Sequence, residues 1–188
     1  MGVTRGDIEG RLRTILDPEM PINLVDLGII AEIRIRDKDD TSAAAAQKCN
    51  KSAHVEIDVT PTFVGCPALD MIRDLIVDRV GGLPDVAEVA VRFVNDPPWS
   101  VTRISAEGRE ALRRHGVTTP HAGGAAAAIT PLTISQPGPA SDAVKQTVEC
   151  PFCGSEKTHL DSPFGPTRCR MIYYCDACRN AFEHLKPI

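Results

Sequence analysis

Apolar residues in the first part of the chain recur with two different periods. Where they recur every three or four residues they predict amphipathic helices, and where they alternate with polar residues they predict half-buried strands. The predicted elements are, in order, helix 4–16, strand 29–36, strand 53–62, helix 66–80, strand 86–96 and helix 104–116. Ser105 is the expected N-cap of the last helix.

This alternation of periods predicts an α/β fold. Helix, strand, strand, helix, strand and helix in that order make a small two-layer α/β sandwich, in which the helices pack on a three-stranded sheet. We expect this domain to span residues 1–118. The polar, alanine-rich stretch 39–52 interrupts it as a long loop, in which Cys49 is expected to be an incidental exposed thiol.

The composition of the chain changes after residue 118. Residues 119–147 are rich in Ala, Gly, Pro, Ser and Thr. They hold too little apolar surface to offset the entropy of ordering, so we expect a flexible linker. A weak strand at 128–135 is the alternative for part of it. A cysteine-rich module follows at 148–188.

Charge and composition argue against several classes of protein. The 188 residues carry a net charge of -4, which does not favour a general affinity for nucleic acid. No run of about 18 apolar residues could span a membrane, and the N-terminus has no apolar secretion signal, so we expect a cytoplasmic protein. Seven cysteines in that reducing compartment favour metal ligands or reactive thiols over disulfides.

The cysteines of the last module have the spacing of a zinc ribbon. Two CxxC turns supply four candidate ligands, which are Cys150, Cys153, Cys175 and Cys178. Each turn directs two thiolates to one point, and the four together suit the tetrahedral coordination of Zn²⁺. Cys169 is a spare thiol, an alternative ligand or a sign of an iron–sulfur cluster in place of zinc, and we place it outside the site. His159 and His184 are expected to lie at the surface.

Cys66 lies in the stretch TFVGCPALD, where a strand is expected to give way to a helix. Pro67 fits the first helical position, which would place the thiol beside unpaired amides and the positive end of the helix dipole. Such a location lowers the pKa of a thiol and favours the thiolate, which attacks electrophiles and binds soft metals. A buried structural cysteine is the alternative interpretation.

Acidic residues of the first loop are further candidates. They are Asp17, Glu19 and Asp26. A carboxylate at a turn usually caps the backbone. The alternative is that one or more of the three line the pocket that holds Cys66.

Several of these stretches together resemble a known family. DPEMPINLVDLGII, VEIDVTPTFVGCPALDMI and VAVRFVNDPPWS with ISAEGREALRRHG are similar to the SufT/PaaD-like iron–sulfur assembly factors. The cysteine ribbon that ends in FEHLKPI narrows the resemblance to the PaaD (PaaJ) branch, which accompanies the phenylacetyl-CoA oxygenase (epoxidase) system. The resemblance covers residues 4–118 and 148–188 and leaves out the insert and the linker.

The resemblance implies a non-catalytic factor that supplies or matures the metal centres of that oxygenase. Its clients would be the oxygenase and reductase subunits. Cys66 would be the functional thiol, holding a labile iron–sulfur cluster or iron, with the acidic loop nearby and a homodimer as an option. The motif residues around it would be Thr60, Pro61, Thr62, Gly65 and Pro67.

Three other functions remain open on the sequence alone. A structural subunit of the oxygenase complex is the first of them. A nucleic-acid-binding ribbon is disfavoured, because residues 149–188 carry as many acidic as basic side chains. A thiol enzyme would need a base near Cys66, and His54 is the only histidine in the neighbouring strands and helix.

Overall fold

The structure is a computed structural model that describes residues 2–37, 53–120 and 148–187. It divides into two compact units, Met1–Ala111 and Leu112–Ile188. The insert with Cys49, and residues 121–147 of the predicted linker with its weak strand, lie outside the described residues. No helix in the described ranges is long and apolar enough to cross a membrane.

Helix α1 spans Arg5–Leu12 and is shorter than predicted. Its start follows from a capping box: the Thr4 side chain accepts a hydrogen bond from the Asp7 amide, and the Asp7 carboxylate accepts one from the Thr4 amide. The helix ends early because residues 15–24 form a closed loop. There the amide of Leu24 donates to the carbonyl of Ile15 at 3.1 Å.

The first unit contains a three-stranded sheet in the order β1-β2-β3. The strands are β1 Ile30–Asp37, β2 Ala53–Val59 and β3 Val86–Phe93. β1 is antiparallel to β2, whereas β2 and β3 are parallel. Parallel neighbours need a crossover, which helix α2 (Leu69–Gly81) supplies. The predicted α/β fold is therefore confirmed.

The alternation of buried and exposed residues places the core as expected. Val55, Ile57 and Val59 of β2 are buried, and Ile72, Ile76 and Val80 form the buried stripe of α2. The alternation of Ile29, Ala31, Ile33 and Ile35 predicts that these four residues share one face of β1, and for Ala31 this prediction is wrong. A β-bulge between Ile30 and Glu32 shifts the register, and Ala31 is exposed.

A short 3₁₀ helix, Val101–Arg103, and helix α3, Ala106–Arg114, follow the three-stranded sheet, and the boundary between the two units falls within α3. The Ser105 hydroxyl accepts a hydrogen bond from the Gly108 amide at 2.9 Å, so the predicted cap is present. Glycine lowers helix propensity, but here packing requires it. A Cβ at Gly108 would lie 2.7 Å from Cδ1 of Ile22 and 2.8 Å from the carbonyl oxygen of Asp26.

The second unit holds a four-stranded sheet in the order β4-β7-β6-β5. The strands are β4 Val117–Thr118, β5 Thr158–Ser162, β6 Arg170–Cys175 and β7 Ala181–Leu185. β4 pairs in parallel with β7. Residues 117–118 thus join the sheet of the ribbon, although the sequence placed them in the first domain. A two-residue strand has no periodicity from which to detect it.

His184 does not lie at the surface, and that prediction is wrong. It is 4% exposed, because it lies on the same buried face of β7 as Phe182 and β4 pairs alongside. Its Nδ1 atom lies 2.8 Å from the Thr118 hydroxyl. His159, in contrast, is exposed as expected.

Candidate metal and thiol sites

The four cysteines of the two CxxC turns converge on one point. The Sγ atoms of Cys150 and Cys178 are 3.6 Å apart, and those of Cys153 and Cys175 are 3.7 Å apart. All four sulfurs lie within 4.8 Å of one another. A tetrahedron with zinc–sulfur bonds of about 2.3 Å has edges of about 3.8 Å. The cluster is therefore a metal-binding site, and its donor set fits Zn²⁺.

Backbone hydrogen bonds shape both turns. The Gly154 amide donates to the carbonyl of Cys150 at 3.0 Å, and the Arg179 amide donates to that of Cys175 at 2.8 Å. Gly154 and Arg179 both adopt positive φ, with values of 71° and 59°. The two turns are thus equivalent, and the left-handed residue after each second cysteine closes them.

The thiols of the cluster differ in acidity. Burial raises the pKa of Cys150. The Ser155 amide lowers the pKa of Cys153, but burial and the neighbouring sulfurs outweigh it and raise the pKa to about 12. Hydrogen bonding to Asn180, with help from the other thiols, lowers the pKa of Cys178 to about 6. Metal binding requires thiolates and therefore displaces protons from these thiols.

Cys169 lies outside this cluster, as the sequence suggested. It is buried, and its sulfur is 3.2 Å from the Thr167 hydroxyl. The described residues contain one group of three or more close ligand-type side chains, and the four cysteines are its only members.

Cys66 lines a small pocket in the first unit. The pocket encloses about 250 Å³, part of it open to solvent. Its lining consists of Asp17, Leu27, Ile29, Val59, Pro61, Thr62, Cys66, Leu69 and Ile72. The side chains of Asp17 and Cys66 are the ionisable groups of this mostly apolar lining.

Cys66 lies farther from the helix than the sequence predicted. α2 begins at Leu69 with Ala68 as its N-cap, so Pro67 is not the first helical residue. The cause is a turn before the helix, in which the Cys66 amide donates to the carbonyl of Phe63 at 3.1 Å. The argument from unpaired amides of the first helical turn therefore does not apply to this thiol.

The three acidic candidates have different surroundings. Asp17 is both a cap and part of the pocket lining: its Oδ1 accepts hydrogen bonds from the amides of Glu19 and Met20, each at 2.9 Å. Glu19 is not part of the lining.

Asp26 also lies outside the pocket lining and works as a structural carboxylate. It accepts hydrogen bonds from Arg13 at 2.7 Å, Asn23 at 2.6 Å and Ser105 at 3.0 Å. Burial raises the pKa of Asp26, but these hydrogen bonds outweigh it and hold the pKa below its usual value. Asp26 thereby links the first loop to the start of α3.

The motif residues around Cys66 also differ in whether they line the pocket. Pro61 and Thr62 line the pocket, whereas Gly65 and Pro67 are exposed. Thr60 is buried, and its hydroxyl has no hydrogen-bond partner in the part of the chain that the structure describes.

The sequence did not predict that certain apolar residues line the pocket. In the sequence, Leu27 is a predicted loop residue and Ile29 is a predicted strand residue. Only the motif Asp26-Leu27-Gly28, which contains Leu27 and precedes Ile29, indicated their position. A residue outside the pocket lining stabilises this loop, because the indole nitrogen of Trp99 donates to the Leu27 carbonyl at 3.0 Å. The quoted PPW motif thus supports the pocket without entering it.

Two family models match different stretches of the chain. Residues 5–91 match the family described as iron-sulfur cluster assembly protein, and residues 135–186 match the PaaD zinc beta ribbon domain. An Escherichia coli protein, named as a putative component of the 1,2-phenylacetyl-CoA epoxidase, is 29% identical over 97% of this chain and 92% of its own length.

Two further relatives match a little more than half of the chain. The Fe-S protein maturation auxiliary factor YitW of Bacillus subtilis is 28% identical, over 56% of this chain and 90% of its own. A crystal structure of a domain of unknown function from Bacillus anthracis is 26% identical, covers 57% of this chain and 89% of that one, and has a TM-score of 0.40. The resemblance drawn from the sequence is confirmed: one stretch of the chain matches the iron–sulfur cluster assembly family and another matches the PaaD zinc beta ribbon domain.

Proposed function

We propose that the chain is an accessory factor that carries an iron–sulfur cluster, or iron, on Cys66 and delivers it to subunits of a phenylacetyl-CoA oxygenase. The main support is the pocket that Cys66 and Asp17 both line. Thiolate and carboxylate are both ligand types that iron accepts. The factor is not itself a catalyst, and it works in the cytoplasm, where thiols stay reduced.

The number of ligands in the pocket favours a carrier over a permanent metal site. Iron–sulfur clusters are commonly held by four thiolates. The pocket offers one thiol, Cys66, and one carboxylate, Asp17. The remaining ligands would come from a second copy of the chain or from the client. A cluster or iron ion that the chain holds through so few of its own ligands is labile, and transfer to a client requires a labile cargo.

The ribbon has a different role in this proposal. Its four cysteines would hold Zn²⁺ as a structural ion, because four thiolates close the coordination sphere and leave no position open for substrate. The ribbon would then act as a recognition module for the client.

Anaerobic reconstitution with iron and sulfide tests the carrier role. The wild-type protein should gain iron and acid-labile sulfide in addition to its ribbon metal, and Cys66→Ser should lose both while keeping the ribbon metal. Asp17→Asn should retain less cargo after desalting. Cys169→Ser is the matched control, because that thiol lies in neither site. A Cys66→Ser protein that still takes up and transfers the full load would rule the carrier role out.

A structural subunit of the oxygenase complex is the second candidate. The Escherichia coli relative is named as part of an epoxidase and aligns with almost the whole chain. This function requires co-purification with active oxygenase in a fixed stoichiometry. A carrier would instead associate transiently and be absent from the mature complex.

A further inference from the structure

The loop between β5 and β6 displays an exposed aromatic ring. Phe164 is 79% exposed, the largest exposed fraction of any large hydrophobic side chain that the structure describes. Single exposed hydrophobic residues are common on protein surfaces. Phe164 differs because hydrogen bonds hold the backbone that carries it, and a cation lies over its ring.

Three contacts fix this loop. The Ser162 hydroxyl donates to the Phe164 carbonyl at 2.8 Å and accepts from the Phe164 amide at 3.1 Å. The Gly165 amide donates to the Arg170 carbonyl at 3.0 Å, and a Cβ at Gly165 would lie 2.9 Å from that carbonyl. The Lys186 ammonium lies 5.7 Å from the centre of the Phe164 ring. A loop whose backbone is already held by hydrogen bonds loses less conformational entropy when it docks on a partner.

The chain segments that carry Phe164 and contact its ring are basic. We define the ribbon tip as residues 163–170 and 185–187, which lie at the end of β6 opposite Cys175. The tip contains Arg168, Arg170 and Lys186 and no acidic residue. Arg170 is buried and paired with Glu183, whereas Lys186 lies over the ring and Arg168 is an exposed residue of the same loop.

We propose that the ribbon tip is a docking element for a protein client, with Phe164 inserted into an apolar pocket of the client and Arg168 and Lys186 facing carboxylates at its rim. Anchors of this kind, an aromatic ring with a charged surround, dominate protein interfaces. Nucleic acid fits less well, because two cations at the tip of a chain of net charge -4 bind few phosphates. That the client is an oxygenase or reductase subunit rests on the proposed function.

Affinity measurements with the full-length, metal-loaded chain test this. The probes are the purified oxygenase and reductase subunits of the phenylacetyl-CoA epoxidase system. Phe164→Ala should raise the Kd for one subunit by about tenfold or more. Lys186→Glu should also raise the Kd and reduce its dependence on salt. Leu160→Ala, an exposed apolar residue of the same ribbon, is the control and should stay within about twofold. Unchanged ribbon metal content shows that each variant is folded.

Several results would overturn the docking role. The first is that the wild-type chain binds none of the subunits. The second is that the affinity of Phe164→Ala stays within twofold of wild type, or that Leu160→Ala loses as much affinity as Phe164→Ala. The third is that the chain binds a DNA duplex in a way that depends on Phe164. The iron and sulfide load separates this proposal from the carrier role. Unchanged client affinity in Phe164→Ala with a normal load overturns docking alone. Phe164-dependent binding without a Cys66-dependent load overturns the carrier role alone.

Discussion

Asp58 of β2 holds two guanidinium groups on the sheet face opposite the apolar side chains of that strand. Arg34 donates to its two oxygens at 2.9 and 2.8 Å, and Arg92 donates at 2.9 and 3.0 Å. The hydrogen bonds from Arg92 and Arg34 outweigh burial and hold the pKa of Asp58 well below its usual value. Because each arginine comes from a different strand, Asp58 links all three strands of the sheet.

Replacing this carboxylate should therefore destabilise the first unit. We expect Asp58→Asn to lower the free energy of unfolding by about 2–3 kcal/mol, since two charged hydrogen-bonded pairs are lost at a largely buried site. Trp99, the single tryptophan, is buried in the first unit and reports its urea unfolding by fluorescence. Asp70→Asn removes an exposed carboxylate with one arginine partner and should change the free energy by less than about 0.5 kcal/mol.

The same pair of variants predicts a pH dependence. A carboxylate with a depressed pKa stabilises the folded state above its unfolded-state pKa of about 3.9 and loses that effect as the pH falls towards the folded-state value. The difference between wild type and Asp58→Asn should thus be constant above about pH 5 and shrink below about pH 4. A difference that is no larger than that for Asp70→Asn, or that grows on acidification, would contradict this account.

Gly28 gives a second prediction at the scale of one residue. Its φ is 73°, and a Cβ there would lie 2.3 Å from the carbonyl oxygen of Arg103. Gly28→Ala should therefore cost about 2–4 kcal/mol, from backbone strain and the displaced 3₁₀ helix. Gly10→Ala is the matched control: its Cβ would meet nothing within 4 Å in α1, so it should stabilise the unit by about 0.5–1 kcal/mol. Equal effects in Trp99-monitored urea unfolding would refute the steric explanation.

At the scale of elements, periodicity predicted which segments fold but not where they end. The helical spacing of Leu69, Ile72, Ile76 and Val80 predicts the apolar stripe of α2, and the last three of these residues are buried. Its start was placed at Cys66 because Pro67 is favoured in a first helical turn, whereas the observed turn at Phe63 delays the helix to Leu69. Local turn geometry depends on tertiary contacts that a periodic pattern does not contain.

The candidate sites show the same contrast between features that local sequence predicts and features that depend on tertiary contacts. The CxxC spacing alone predicted which four cysteines the structure brings together, because each pair lies in one local turn. The Cys66 pocket depends on bringing Asp17 beside Cys66, and these residues are far apart in the chain. Sequence reasoning could name both residues but could not separate Asp17 from Asp26. The burial of His184 was missed since it needs β4, a strand of two residues.

At the scale of the whole molecule, the two units have different sources of stability. The first has a core of aliphatic side chains contributed by its helices and sheet. In the second, the buried cluster consists of Val148, Cys150, Cys175 and Phe182. Two metal ligands are therefore also core residues. A unit of this size buries little apolar surface, so bound metal should supply much of its folding free energy.

Metal removal should accordingly unfold the second unit and spare the first. The two tyrosines, Tyr173 and Tyr174, lie in β6, so their near-ultraviolet circular dichroism reports on the ribbon, while Trp99 reports on the first unit. A strong zinc chelator should abolish the tyrosine signal and leave the Trp99 emission and urea midpoint unchanged. Cys178→Ser should reproduce the effect of the chelator, whereas Cys169→Ser should keep both metal and signal. A tyrosine signal that persists after complete metal removal would show that the packing around Phe182 folds the ribbon without the ion, and loss of the Trp99 signal would show that the first unit also depends on it.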